Sequence, residues 1–122
     1  MSAHKKYAAV LLDDGTKKTE ILGFVRDSGK VGISEPLVFF GLSGNVVCRG
    51  TYSMTALYQP GKVYLNCFNG RIKGTGTFQV KGLRNGKSFG VAQVKTAKET
   101  VRIVYGMTAQ EFEARRLAVA KK

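Results

Sequence analysis

Between Pro36 and Lys98 the chain has neither Asp nor Glu. Nothing inside that stretch offsets Arg49, Lys62, Arg71, Lys73, Lys81, Arg84, Lys87, Lys95 and Lys98. A one-signed segment repels itself on folding and attracts polyanions. Histidine is almost missing: His4 is the single imidazole and precedes the first expected ordered element. The local pattern therefore holds no imidazole base beside a Ser or Cys, which removes the usual nucleophilic arrangements. Cys48 and Cys67, with one histidine, are too few for a structural zinc site, and no metal or other cofactor is expected. Two cysteines do not make a disulfide scaffold either. They read as buried thiols, with one cross-strand disulfide as the alternative that an extracellular or virion setting would favour. Long apolar runs are also lacking. No window approaches the roughly 18 residues of a membrane span, and the run in MSAHKKYAAVLLDDG is too short for a signal peptide. The simplest expectation is an intracellular protein, cytoplasmic or nucleoid-associated, with a virion as the other setting.

The acids lie outside the cationic stretch: Asp13, Asp14, Glu20, Asp27, Glu35, Glu99, Glu111 and Glu113. Asp13 and Asp14 are adjacent ahead of Gly15, which suits a turn better than paired acid–base chemistry. Gly29-Lys30-Val31-Gly32 lacks the spacing and the Ser/Thr ending of a phosphate-binding loop. The chain is expected not to be an enzyme.

What is present fits one domain, 1–122, with a formal charge of +12 and an ordinary 43% hydrophobic content. Residues 1–6 are expected to be a flexible N-terminal segment. Strand patterns then dominate. Tyr7–Leu12 and Glu20–Val25 flank the Asp13–Thr16 turn. Ser28–Pro36 reads as loop, and Leu37–Phe40 and Asn45–Tyr52 as strands. Lys62–Phe68 and Arg71–Gly82 flank Asn69-Gly70, a hairpin signal because a type I′ turn needs positive φ at both central residues. Asn85-Gly86 repeats the signal before Ser88–Val94 and Val101–Tyr105. Glycine is abundant, 15 residues, as tight turns and bent strands require. The fold class is mainly β: a small antiparallel meander or partly closed barrel of about 6–8 strands with one C-terminal helix over 108–122. Thr108 and Glu111 have capping-box spacing, with Met107 and Phe112 at the staple positions. Phe112, Val119 and Leu117 are the candidates for docking this helix.

Along Arg71–Lys81, Ile72, Phe78 and Val80 share one face, while Arg71, Lys73, Thr75, Thr77, Gln79 and Lys81 share the other. A two-residue Asn69-Gly70 turn puts Phe68 opposite Arg71, Asn66 opposite Lys73 and Tyr64 opposite Thr75. Tyr64 and Phe68 then stand on the polar face beside Lys62, Arg71 and Lys73. Rings beside cations are the usual single-strand surface, since rings stack bases while cations hold phosphates. The alternative is that both rings are covered and belong to the core. Lys81 extends the basic row, and Arg84 and Lys87 form a second contact at a hairpin tip. An echo, Arg49-Gly50-Thr51 against Lys73-Gly74-Thr75, marks two similar strands of one sheet. The expected function is non-catalytic binding of nucleic acid, single-stranded RNA or DNA, with homo-oligomerisation allowed. The alternatives are an assembly subunit of a particle or coat, using Leu37–Phe40 at an interface, and an adaptor for an acidic protein surface.

Overall fold

The computed structural model describes residues 4–28, 30–54, 56 and 59–120, with 4, 119 and 120 described by backbone alone. Eight strands follow one another: β1 (His4–Asp13), β2 (Lys18–Asp27), β3 (Gly32–Gly41), β4 (Val46–Met54), β5 (Gly61–Cys67), β6 (Ile72–Arg84), β7 (Lys87–Lys95) and β8 (Thr100–Met107). Each pairs antiparallel with the next, and β8 returns to β1, with Val10 opposite Ile103. The sheet is thus a closed up-and-down barrel. Helix α1 (Ala109–Ala120) packs outside against β1, β2 and β8.

Local chemistry sets the hairpins. Asn69 and Gly70 have φ of 54° and 89°, and Asn85 and Gly86 have 53° and 78°, the left-handed conformations a type I′ turn demands. At the first hairpin, Asp14 Oδ1 accepts from the Thr16 and Lys17 amides, and Asp13 Oδ1 accepts from the Gly15 amide. These bonds hold the Asp14 carboxyl below the usual carboxylate range.

Period-two alternation fills the barrel. Val10, Val25, Phe39, Leu65, Ile72, Phe78, Val80, Val94, Val101 and Ile103 point inward and are buried. Complete burial of a side chain such as Phe39 or Leu65 contributes about 1.5–3 kcal/mol. The space left beside Val25, Tyr52, Phe78 and Tyr105 measures about 20 Å³, room for about one water. The lumen is a packed core, as in other small barrels. Glycine permits the tight coiling: a Cβ on Gly76 would lie 1.8 Å from the Gln93 carbonyl oxygen, and one on Gly50 1.8 Å from that of Tyr64.

The capping box at α1 forms in both directions. The Glu111 amide donates to Thr108 Oγ1 at 3.1 Å, and the Thr108 amide donates to Glu111 Oε1 at 2.9 Å. The Thr108 bond, with Arg84 nearby, holds the Glu111 carboxyl below its ordinary value. Phe112 is buried with Met107, Ala9 and Leu22, and stacks 4.6 Å from the Tyr7 ring. Leu117 is instead exposed, and the Val119 side chain lies outside the described residues.

Several expectations need correction. Strand β1 begins at His4 and Lys6 is buried, so residues 4–6 belong to the barrel; residues 1–3 lie outside the described residues. Gly32–Pro36, expected as loop, is the first half of β3. Pro36 is tolerated because β3 pairs there with β4 alone, its pairing to β2 starting at Leu37. Leu37–Phe40 is paired on both sides and offers no open edge. The cysteines form the disulfide alternative: Cys48 and Cys67 are direct partners across β4 and β5, with Cα atoms 4.0 Å apart and both side chains fully buried.

Candidate nucleic-acid interface

Opposite the helix, β4, β5, β6 and β7 present a wall whose composition follows from the acid-free stretch. Three cross-strand rows order it. Arg49, Asn66 and Lys73 form one; Thr51, Tyr64 and Thr75 the next; Ser53, Lys62, Thr77 and Gln93 the third. The sequence echo has a geometric meaning here. Strands β4 and β6 run parallel to each other on either side of β5. Arg49 and Lys73 therefore flank Asn66, Gly50 and Gly74 flank Leu65, and Thr51 and Thr75 flank Tyr64.

Among the described residues, the cations of this wall stand without acidic partners, as do Lys5, Lys18, Arg26 and Arg102 on the other strands. Arg49, Lys62, Arg71, Lys73, Lys81, Lys95 and Lys98 are all exposed, and among the described residues none takes part in an ion pair. The ion pairs lie elsewhere. Arg115 meets Glu20, Arg84 meets Glu111 and Arg116 meets Glu113 around the helix, and Lys6 meets Asp27 inside the barrel. An unpaired, exposed cationic wall gives a positive potential that steers polyanions.

The expected site residues separate into groups. Lys62, Tyr64 and Lys73 come together on the wall, with Tyr64 39% exposed. Lys81 is exposed beside the β-bulge near Val80 and Gly82, its ammonium 3.3 Å from Gln79 Oε1. Arg71 is exposed at the β5–β6 turn, with its guanidinium 5.1 Å from the Phe68 ring centre. Phe68 is the correction. It adopts φ of 56° just after β5, and its amide donates to the Val47 carbonyl. Its ring is partly buried against the interior cluster, with the Arg71 guanidinium over it, so it is not the open platform expected. The register with Arg71 is as expected, and positive φ at Phe68 accompanies the packing of its ring against the cluster.

Arg84 is likewise not a free hairpin tip. Its Nη1 donates to the Gly106 carbonyl at 3.0 Å and to Glu111 at 2.7 Å, and its guanidinium lies 4.1 Å from the Phe89 ring centre. It ties the β6–β7 hairpin to the start of α1. Lys87 remains exposed at that tip. Sequence reasoning passed over Arg49 and Thr51 as wall residues, although the echo pointed to both, while Thr77 lies on the outer face as expected.

A second polar cluster lies inside one mouth of the barrel. The Lys6 ammonium is 3.3 Å from Asp27 Oδ2 and 2.8 Å from Ser88 Oγ, with side-chain exposures of only 5% and 10% for the ion pair. Tyr52 Oη donates to the Lys30 carbonyl at 2.9 Å and lies 3.0 Å from Ser28 Oγ. Burial, with Asp27 nearby, pushes the Tyr105 phenol well above its ordinary value and raises Tyr52 in the same direction. The enclosed space beside Asp27, Tyr52 and Tyr105 measures about 20 Å³, while Lys6 and Ser88 also border an open pocket of about 350 Å³ with Tyr7, Arg84 and Lys87.

Comparison with known proteins gives no matching family model, no matching curated protein and no matching solved structure. Among the described residues no helix is long and apolar enough to cross a membrane.

Proposed function

We propose that the protein binds nucleic acid without catalysis, through the outer wall of β4–β7. The supporting observation is the row of exposed cations with no acidic partner on a rigid sheet face. Phosphate contacts from Arg49, Lys62, Lys73 and Lys81 supply the affinity, and rigid strands hold the charges at fixed spacing. With Phe68 partly buried, Tyr64 is the exposed one of the two expected rings, so phosphate contact outweighs stacking. The buried disulfide supports an oxidising compartment or a virion over a reducing cytosol.

A salt titration tests the reading. Affinity for a mixed-sequence oligonucleotide should fall linearly on a log–log plot against salt, and each of Lys62→Gln and Lys73→Gln should reduce the slope by about 1. Binding that ignores salt, or slopes unchanged in both variants, would remove the wall as the contact surface.

A further inference from the structure

We infer that the wall holds a site for one unpaired nucleobase, a groove between Tyr64 and Ile33 that gives the protein a preference for single strands; this rests on the nucleic-acid reading above. The groove has a volume of about 560 Å³ and is lined by Ile33, Thr51, Lys62, Tyr64, Thr75 and Thr77 among others. That size falls in the range of about 300–1,000 Å³ seen for small-molecule sites. Three features make it specific to a base.

The first is the ring. Tyr64 is the central member of its row, with Thr51 and Thr75 as its direct cross-strand partners. A planar aromatic face is thus flanked by a hydroxyl on each side. Hydroxyls donate to or accept from either kind of base-edge group, which suits an edge whose identity varies.

The second is Ile33. Scattered apolar side chains on a surface need no explanation, but this one borders the same groove as Tyr64 and is 86% exposed. It stands on the half of β3 that pairs with β4 alone, so the strand carries it to the rim of the wall. A base resting on Tyr64 has an apolar face, and Ile33 supplies an apolar wall beside it.

The third is charge. Lys62 lines the groove and occupies the neighbouring row, opposite Ser53 and Thr77. No acid lines it. An ammonium at that position serves the phosphate of the nucleotide whose base is held. Bases within a duplex are already stacked and paired, and presenting one to the ring requires unstacking it at a cost of a few kcal/mol. A single strand avoids that cost.

The test uses the intact, disulfide-bonded protein. Affinities are measured for a single-stranded oligonucleotide and for its duplex, across a salt series, together with quenching of a 2-aminopurine reporter in the single strand. Tyr64→Leu keeps an apolar side chain and removes the ring. It should weaken single-strand binding about five- to 150-fold, the effect of losing one stacked base, and abolish the quenching. Duplex binding and the salt slope should stay unchanged. Ile33→Ser should weaken single-strand binding in the same selective way, by less than Tyr64→Leu. Thermal melts of both variants exclude loss of fold. A normal salt slope with single-strand affinity within twofold of wild type in Tyr64→Leu overturns the base site and leaves the wall intact. Equal weakening toward single strand and duplex overturns it as well. Absence of binding to either nucleic acid at low salt overturns the wall reading, and the base site with it.

Discussion

Replacing Asp27 by Asn takes the carboxylate from a Lys6 ammonium that lies 3.3 Å away inside the barrel mouth. The pair is almost wholly removed from water, with side-chain exposures of 5% and 10%. At an effective dielectric of about 20, two unit charges at that distance attract by about 5 kcal/mol. Desolvation of both groups opposes this, so the net value of the pair against a well-packed apolar replacement is small. Removing one partner is a different matter. Lys6 would keep Ser88 Oγ at 2.8 Å but would lose the carboxylate, and the expected loss of stability is about 3–5 kcal/mol. Lys6→Met should also be strongly destabilising. The double variant, Lys6→Met with Asp27→Asn, leaves neither charge in the mouth and should be more stable than the sum of the single losses by about 2 kcal/mol or more. Urea unfolding followed by circular dichroism, with the disulfide intact and the slope of the transition unchanged, gives all four corners of the cycle. Additivity within about 0.5 kcal/mol would refute the reasoning, because it would mean that the two groups do not sense each other.

The disulfide closes a loop of sequence separation 19. By chain entropy, Cys48→Ala with Cys67→Ala should cost about 3 kcal/mol in equilibrium unfolding, and a loss below about 1 kcal/mol would contradict a stabilising role. Gly76→Ala places a methyl against the Gln93 carbonyl; the resulting strain should cost about 3 kcal/mol or more, read as a lowered unfolding midpoint. Tyr105 and Tyr52 have phenols raised above the ordinary value of 10.0. Unfolding at higher pH exposes them to ionise and releases protons, so stability is complete below about pH 10 and falls as pH rises beyond it. Phenolate absorbance should therefore gain a late component that coincides with loss of far-UV ellipticity. A late component that titrates while the fold persists would count against their burial.

The parts of the fold set by neighbouring residues were readable from the chain. Asn69-Gly70 and Asn85-Gly86 fixed two hairpins, and the register that followed, Asn66 with Lys73 and Tyr64 with Thr75, is the observed one. Thr108 and Glu111 likewise marked the helix start. Features set by distant partners were not readable. Ser28–Pro36 looked like loop because nothing local shows that Gly32–Pro36 pairs with β4 alone. Lys6 looked like tail because its partners, Asp27 and Ser88, lie 21 and 82 residues away. Arg84 looked like a free cation because Glu111 reaches it from the helix. Phe68 shows a subtler limit: the pairing was right, yet the ring at this positive-φ position is partly buried against the cluster. The Arg49 and Lys73 echo was visible as sequence, but only the position of β5 between its two halves gives it a use.

The pairing of β1 with β8 also fixes an order of events in time. Val10 cannot meet Ile103 until all the intervening strands have been made. Until then the first strand has one bonded side, and its inward row of Ala8 and Val10 faces an incomplete core. Successive hairpins can assemble as they emerge, whereas the last seam demands a contact of very high sequence separation, the kind that slows folding. An N-terminal strand awaiting its partner is also the edge on which two nascent copies would meet. Yield on refolding should accordingly depend on protein concentration more than the closed native barrel would suggest.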